Sequence, residues 1–145
     1  MTKHFQILSR ATLALCLLFA SLPLTACSKT VTLAQFAPYV RQSATAINNA
    51  VTDAWAAGII TNAQYEQAKT ALAKYADFAP KAADYLASLQ TLNGANKPET
   101  LRKLAEGVAL GKQIALAAGL PANSTAARVI AAVVLGLETT ASTID

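Results

Sequence analysis

The side chains best suited to nucleophilic and metal chemistry lie at the start of this chain. Its 145 residues contain one histidine, His4, and two cysteines, Cys16 and Cys27. Imidazole and thiolate groups are the usual general bases, nucleophiles and zinc ligands of proteins. Because the chain has neither after Cys27, its remainder is not expected to hold a Ser-His or Cys-His pair, a histidine zinc site or a disulfide framework.

Carboxylates are the next candidates for chemistry. Asp77 and Asp84 are seven residues apart and share one face of a predicted helix, a spacing that could pair two acids for acid–base work. Lys81 lies between them, and an Asp77–Lys81 spacing of four residues is typical of a solvated ion pair on a helix surface. We therefore predict that the protein is not an enzyme and has no catalytic residue, no metal site and no cofactor.

The first 26 residues have the three-part pattern of a secretory signal. Lys3 and Arg10 give it a basic start, residues 11–22 are apolar, and small residues lead to Ala26. The apolar run of about 12 residues is shorter than the roughly 20 that cross a bilayer core. We predict cleavage between Ala26 and Cys27, which leaves 119 residues, enough for one domain.

The segment Leu24-Thr25-Ala26-Cys27 resembles the lipobox of bacterial lipoproteins. The resemblance covers the signal alone. It implies transfer of a diacylglyceryl group to the Cys27 thiol, cleavage before that residue, and acylation of the new amino group with a fatty acid such as palmitate. Ser28 follows the cysteine, which implies the outer membrane, facing the periplasm. Two or three acyl chains, at about 0.8 kcal/mol per buried methylene, make a stable membrane anchor.

The charge of the processed chain argues against a nucleic-acid partner. Without Lys3 and Arg10, ten basic residues face eight acidic ones, a net charge of +2 against +4 for the whole chain. The basic residues are spread along the sequence without a cluster, so neither a nucleic-acid surface nor a polybasic membrane patch is predicted.

After a short tether at residues 27–31, the pattern predicts a domain at residues 32–145 with four helices. We place them from Thr32 to about Ala57, Thr61 to about Leu92, Asn96 to about Ala118, and Thr125 to about Ser142. Capping boxes are expected at Thr32 with Gln35 and at Thr61 with Gln64, and a further cap pair at Asn96 with Glu99.

Short connections favour an all-α fold, a small antiparallel four-helix bundle. Gly58 and Gly119 are expected to end the first and third helices. Pro80 is expected to kink or break the second helix, since it removes one backbone hydrogen bond. Alanine is abundant on each apolar stripe, which predicts a thin but tight core with most of the aromatic side chains between the first two helices.

The fourth helix is apolar almost all round, so it needs cover on most sides. Its large apolar residues leave three interpretations open: a central core helix, an oligomer contact, or a surface for lipid or a partner. With about 12 strongly apolar residues, we judge it too short to span a bilayer. The candidate residues are Val129, Ile130, Val133, Val134 and Leu137.

The sequence favours a small lipid-anchored protein of the bacterial envelope that acts as a structural or protein-interaction module, a class that includes lipoproteins encoded by phages and mobile elements. Its expected partners are the membrane, through the anchor, and a protein, with a homo-oligomer as an open alternative. The alternative function is a carrier of an apolar small molecule or lipid held between helices, in a pocket lined by Tyr75, Tyr85 and the fourth helix.

Overall fold

The computed structural model describes residues 33–144, which fold into four α-helices and contain no strand. The helices are α1 (Leu33–Ala56), α2 (Asn62–Ser88), α3 (Lys97–Ala118) and α4 (Thr125–Ile144). The predicted signal, the Ala26–Cys27 cleavage site, the tether and the Thr32 cap lie outside the described residues. Within residues 33–144 the all-helical prediction is confirmed.

The four helices pack in a ring, since each contacts the next along the chain and α4 also contacts α1. Arg41, early in α1, pairs with Asp84, late in α2, while Trp55, late in α1, stacks on Tyr65, early in α2. These two helices therefore run in opposite directions. The arrangement is a helical bundle that buries one face of every helix.

The capping box predicted at the start of α2 is present. The Thr61 side chain accepts a hydrogen bond from the Gln64 backbone N–H at 3.2 Å, and the Gln64 side chain accepts one from the Thr61 backbone N–H at 2.8 Å. Two backbone donors that the helix leaves without partners are thereby satisfied.

Glycines end α1 and α3, as the sequence predicts. Gly58 has φ of +71° and Gly119 has φ of +57°, in the left-handed region that favours glycine. After each, the next backbone N–H reaches back to the last helical turn, from Ile59 to Ala54 at 2.9 Å and from Leu120 to Ala115 at 3.5 Å. This pattern is the Schellman motif, which closes a helix and turns the chain sharply.

The cap pair predicted at the start of α3 was wrong. The Asn96 side chain accepts from the Asn93 backbone N–H at 2.9 Å and makes no cap hydrogen bond, because the Asn96 backbone is already helical, with φ of −101° and ψ of −15°. Glu99 binds Arg102 instead. The Asn93 side chain organises this turn by accepting from the backbone N–H groups of Ala95, at 2.9 Å, and Asn96, at 3.2 Å.

Pro80 does not break the second helix, because α2 is continuous from Asn62 to Ser88. Pro80 itself is half-buried, and Ala79, Ala82 and Ala83 around it are buried. Packing of that face offsets the one backbone hydrogen bond that proline removes. The break expected at this residue was therefore wrong. A kink at Pro80 stays a prediction.

Buried aromatic side chains link more helices than the first two. Phe36 stacks on Tyr39 with ring centroids 5.0 Å apart, and the Tyr39 hydroxyl donates to the Ala132 carbonyl of α4 at 3.2 Å. The ring of Phe78 in α2 lies against Gly107 in α3, where an added Cβ would be 2.9 Å from its Cε1. The aromatic core is therefore shared by all four helices.

Candidate interaction surfaces

The buried tyrosines contribute to packing through neutral hydroxyls. The hydroxyls of Ser43 and Tyr75 are 2.9 Å apart, and the Ser43 hydroxyl also donates to the Val40 carbonyl at 2.6 Å. Burial, and to a smaller extent Tyr75 nearby, raise the pKa of Tyr39 to about 12. Burial also raises the pKa of Tyr75, against the hydrogen bond with Ser43, which lowers it. Both phenols are thus neutral at neutral pH.

The alternative carrier function places Tyr75 and Tyr85 in the lining of one ligand pocket. The two side chains contact different parts of the bundle. The Tyr75 hydroxyl contacts Ser43 of α1, whereas the Tyr85 hydroxyl donates to the Asn96 carbonyl at 3.2 Å, at the start of α3. Tyr75 is 1% exposed and Tyr85 is half-buried. Their polar groups therefore already have protein partners at two separate places.

The candidate acids lie on the surface and are paired with separate cations. Asp77 binds Lys81 at 2.7 Å along α2, and Asp84 binds Arg41 of α1. Each carboxylate is thus one half of an exposed ion pair, which contributes little to stability. Within residues 33–144, no group of three or more His, Cys, Asp or Glu side chains is placed to hold a metal ion.

The five candidate residues of the fourth helix all lie on the inward face of α4. Their exposed fractions are between 1% and 8%. The opposite face of α4 is open: Ala131 is exposed, Leu135 is 61% exposed, and Arg128 reaches solvent. One face of α4 is therefore part of the core, while the other has no cover within residues 33–144. The five inward residues are Val129, Ile130, Val133, Val134 and Leu137.

We expected this helix to be too short to span a bilayer, but its length is sufficient. α4 has 20 residues and is the one helix in the described part of the chain that is long and apolar enough to cross a membrane, judged by length and composition alone. The core helix of a soluble bundle meets the same criteria. Of the most apolar part of α4, 28% is buried inside the bundle, and the buried residues form its inward face.

An exposed apolar cluster lies where α1 turns into α2. Trp55 stacks on Tyr65 with ring centroids 4.6 Å apart and planes 9° apart, and its indole N–H donates to the Asn62 side chain at 2.6 Å. Trp55 is 40% exposed, and Ile59, in the turn that follows, is 46% exposed. We call Trp55, Ile59 and Tyr65 the Trp55 cluster.

From the sequence, most of the aromatic side chains were expected in the core between the first two helices. Val51, one turn earlier, is fully buried, so Trp55 lies at the edge of the same apolar stripe. Only the rotation of α1 against α2 decides which side of that edge is buried. No pattern in the sequence would have distinguished the exposed indole from a core residue.

No protein-family model matches this chain, and comparisons with curated proteins and with solved structures find no significant match.

Proposed function

We propose that this protein is a lipid-anchored component of the bacterial cell envelope that acts by binding a protein partner through the Trp55 cluster. The observation that carries the proposal is the indole of Trp55, which is 40% exposed and stacks on Tyr65 at the surface of the bundle. Adjacent exposed apolar side chains, as in the Trp55 cluster, are typical of a protein-binding surface.

Contacts within the bundle hold this indole ready for binding. The stack on Tyr65 and the hydrogen bond to Asn62 fix its orientation, so little side-chain freedom would be lost when a partner covers it. Tryptophan and tyrosine are enriched among the residues that dominate protein–protein affinity, because they supply large rigid apolar surfaces with one polar group. Ile59 extends the same apolar area.

The anchor is supported by the sequence of the signal, Leu24-Thr25-Ala26-Cys27. Trp55 lies one residue before the end of α1, a helix of 24 residues and therefore about 36 Å long. The cluster is thus at the opposite end of α1 from the end that leads back to Cys27. A partner of the Trp55 cluster would be a periplasmic or membrane protein within reach of an anchored bundle.

The anchor is tested by replacing the modified cysteine. Cys27→Ala should abolish incorporation of a labelled fatty acid and leave unprocessed precursor, because no thiol remains at the cleavage site to receive the diacylglyceryl group. Cys16→Ala is the matched control and should be labelled and processed like the native chain. Equal labelling of the Cys27→Ala chain, or a native chain that keeps Met1, would contradict the anchor.

The partner surface is tested by site-specific photo-crosslinking in living cells. A photoreactive amino acid at position 59 should give an adduct with a second, different protein, and Trp55→Ala in the same chain should remove that adduct. The control position is Ala73, exposed in the middle of α2. Identical products from positions 59 and 73, or no effect of Trp55→Ala, would argue against the Trp55 cluster as a binding surface.

The carrier function stays a prediction. It requires a ligand-sized space between helices. The hydroxyls of Tyr75 and Tyr85, which were expected to line that space, instead form hydrogen bonds with protein groups at separate places.

A further inference from the structure

The open face of α4 has a regular pattern. Arg128, Ala131, Leu135, Glu138 and Ser142 recur at steps of three and four residues, so they form one stripe along the helix. We call these five residues the α4 stripe. Leu135 is 61% exposed, and the Glu138 side chain, at the border with α3, is 44% exposed.

The packing of α4 explains why the stripe is open. On one side the helix meets α1, where Tyr39 binds the Ala132 carbonyl, and on the other it meets α3, where Val134 lies against Gly111. The α4 stripe lies between these two contacts and points away from the bundle. Within residues 33–144, Leu135 is left 61% exposed.

The neighbouring row of α3 adds to this apolar area. Leu116 is 84% exposed. It lies one helical turn after Lys112, and Lys112 binds Glu138 of the α4 stripe at 2.7 Å. Leu116 and Leu135 have the highest exposed fractions of the large apolar side chains in the described residues. Both border the same side of the bundle, which therefore has more uncovered apolar surface than a solvated face needs.

The charges of the α4 stripe are complementary to the same stripe turned end for end. Arg128 has no ion pair within residues 33–144, whereas Glu138, ten residues or about 15 Å further along the helix, binds Lys112 of the same chain at 2.7 Å. If a second α4 lies antiparallel with its midpoint at Val133, Arg128 of each copy faces Glu138 of the other. The small side chain of Ala131 then faces the large side chain of Leu135.

From this complementarity we infer that the α4 stripe binds a second copy of this chain, with the two α4 helices antiparallel about a two-fold axis. A two-fold contact uses the same surface on both chains and needs such self-complementarity. A parallel pair would place Arg128 against Arg128. An anionic lipid surface would find one unpaired cation on the α4 stripe, Arg128, because Lys112 already pairs with Glu138, whereas the antiparallel copy brings Arg128 to the Glu138 carboxylate.

The stripe is narrow, so the dimer is weak for free chains. Stable interfaces usually bury about 1,200–2,000 Å² in total, more than one helical stripe provides. Attachment of both copies to one membrane would raise their effective concentration and so favour pairing. The inference does not rest on the Trp55 cluster, which lies on another part of the bundle.

Disulfide cross-linking tests the pairing and its direction. Two differently tagged full-length chains are expressed together in a bacterium, one with Ala131→Cys and the other with Leu135→Cys, and the membranes are mildly oxidised. Facing cysteines form a disulfide when their Cα atoms are within about 7 Å. The mixed pair should cross-link several-fold more than two Ala131→Cys chains or two Leu135→Cys chains.

The controls separate this inference from the anchor. The native chain shows any background from an unmodified Cys27, and paired Ala73→Cys chains measure chance encounters on the membrane. Stronger cross-linking of like positions would overturn the antiparallel arrangement. Cross-linking no greater than that of the Ala73→Cys chains would overturn self-association and leave the α4 stripe to lipid or to another protein.

Charge reversal gives a second, independent test. Arg128→Glu and Glu138→Arg should each weaken the dimer about tenfold, since each disturbs two symmetry-related pairs, and the double variant should restore it. Self-association is measured in the membrane, as the yield of the cross-link between the Ala131→Cys and Leu135→Cys chains in each charge variant. A double variant as weak as the single variants would show that these two residues do not face each other, and would overturn the proposed register.

Discussion

At the scale of single residues, the interior of this bundle depends on small side chains and on a buried contact between two hydroxyls. Ser43 and Tyr75 join α1 to α2 through their hydroxyls, and each is at most 2% exposed. Gly107 lets Phe78 and Leu137 approach α3 closely. Both features restrict substitution more strongly than the apolar stripes do, because they leave no spare volume and no spare hydrogen-bonding partner.

The Ser43–Tyr75 contact predicts an asymmetric pair of substitutions. Tyr75→Phe leaves Ser43 bonded to the Val40 carbonyl, so it should lower the free energy of unfolding by about 1 kcal/mol. Ser43→Ala leaves the Tyr75 hydroxyl buried without its partner and should cost about 1–3 kcal/mol. Urea unfolding of both single variants and the double variant measures this. A larger cost for Tyr75→Phe would contradict the assignment.

Gly107→Ala is predicted to destabilise the bundle although alanine favours helices. The new Cβ would lie 2.9 Å from Phe78 Cε1 and 3.0 Å from Leu137 Cδ1, so buried side chains must move at a cost of about 1–3 kcal/mol. This exceeds the gain in helix propensity of at most about 1 kcal/mol. Gly94→Ala is the control, because nothing lies within 4 Å of its added Cβ. Equal thermal midpoints for the two variants would show that Phe78 and Leu137 can move to accommodate a Cβ at position 107 without loss of stability.

At the scale of elements, local signals set most helix ends, but packing decides which residues of a helix are buried. The Thr61 capping box and the left-handed glycines at 58 and 119 follow from chain-local chemistry. In α4, by contrast, Val133 is 3% exposed and Leu135, two residues later, is 61% exposed, although both lie in the same apolar run.

This difference predicts opposite results for the same substitution at two positions of α4. Val133→Asp buries a carboxylate without a partner, which should cost several kcal/mol and unfold a domain whose total stability is about 5–15 kcal/mol. Leu135→Asp should keep the helical circular dichroism spectrum and a cooperative thermal transition. A folded Val133→Asp protein would show that the inward face of α4 is not part of the core.

At the scale of the whole molecule, the bundle is closed by the contact of α4 with α1, between the first and last helices of the described chain. Tyr39 makes this closure, through its hydrogen bond to the Ala132 carbonyl and its contact with Gly136. Because its phenol is held neutral in that contact, global stability is linked to alkaline pH.

The linkage predicts a loss of stability at high pH. Below pH 10 the folded and unfolded chains both keep the Tyr39 proton; between pH 10 and about 12 the unfolded chain loses it while the folded chain, with its raised pKa, retains it. The free energy of unfolding should therefore fall as pH rises through this range. Urea titrations at about pH 9 and about pH 11 give the free energy of unfolding at each pH, and Tyr39→Phe should make the difference between the two values smaller. The same difference in the native chain and in Tyr39→Phe would exclude Tyr39 as the source of the pH dependence.

The sequence by itself determined the four helices, the Thr61 cap and the glycine stops, because each depends on residues within one or two turns of each other. It also predicts the anchor at Cys27, which rests on a short linear signal outside the described residues. Tertiary structure alone decided that α2 continues through Pro80 and that Trp55 and Leu135 are exposed. These outcomes depend on how far each helix is rotated against its neighbours, and an apolar stripe wider than the buried face leaves that rotation open.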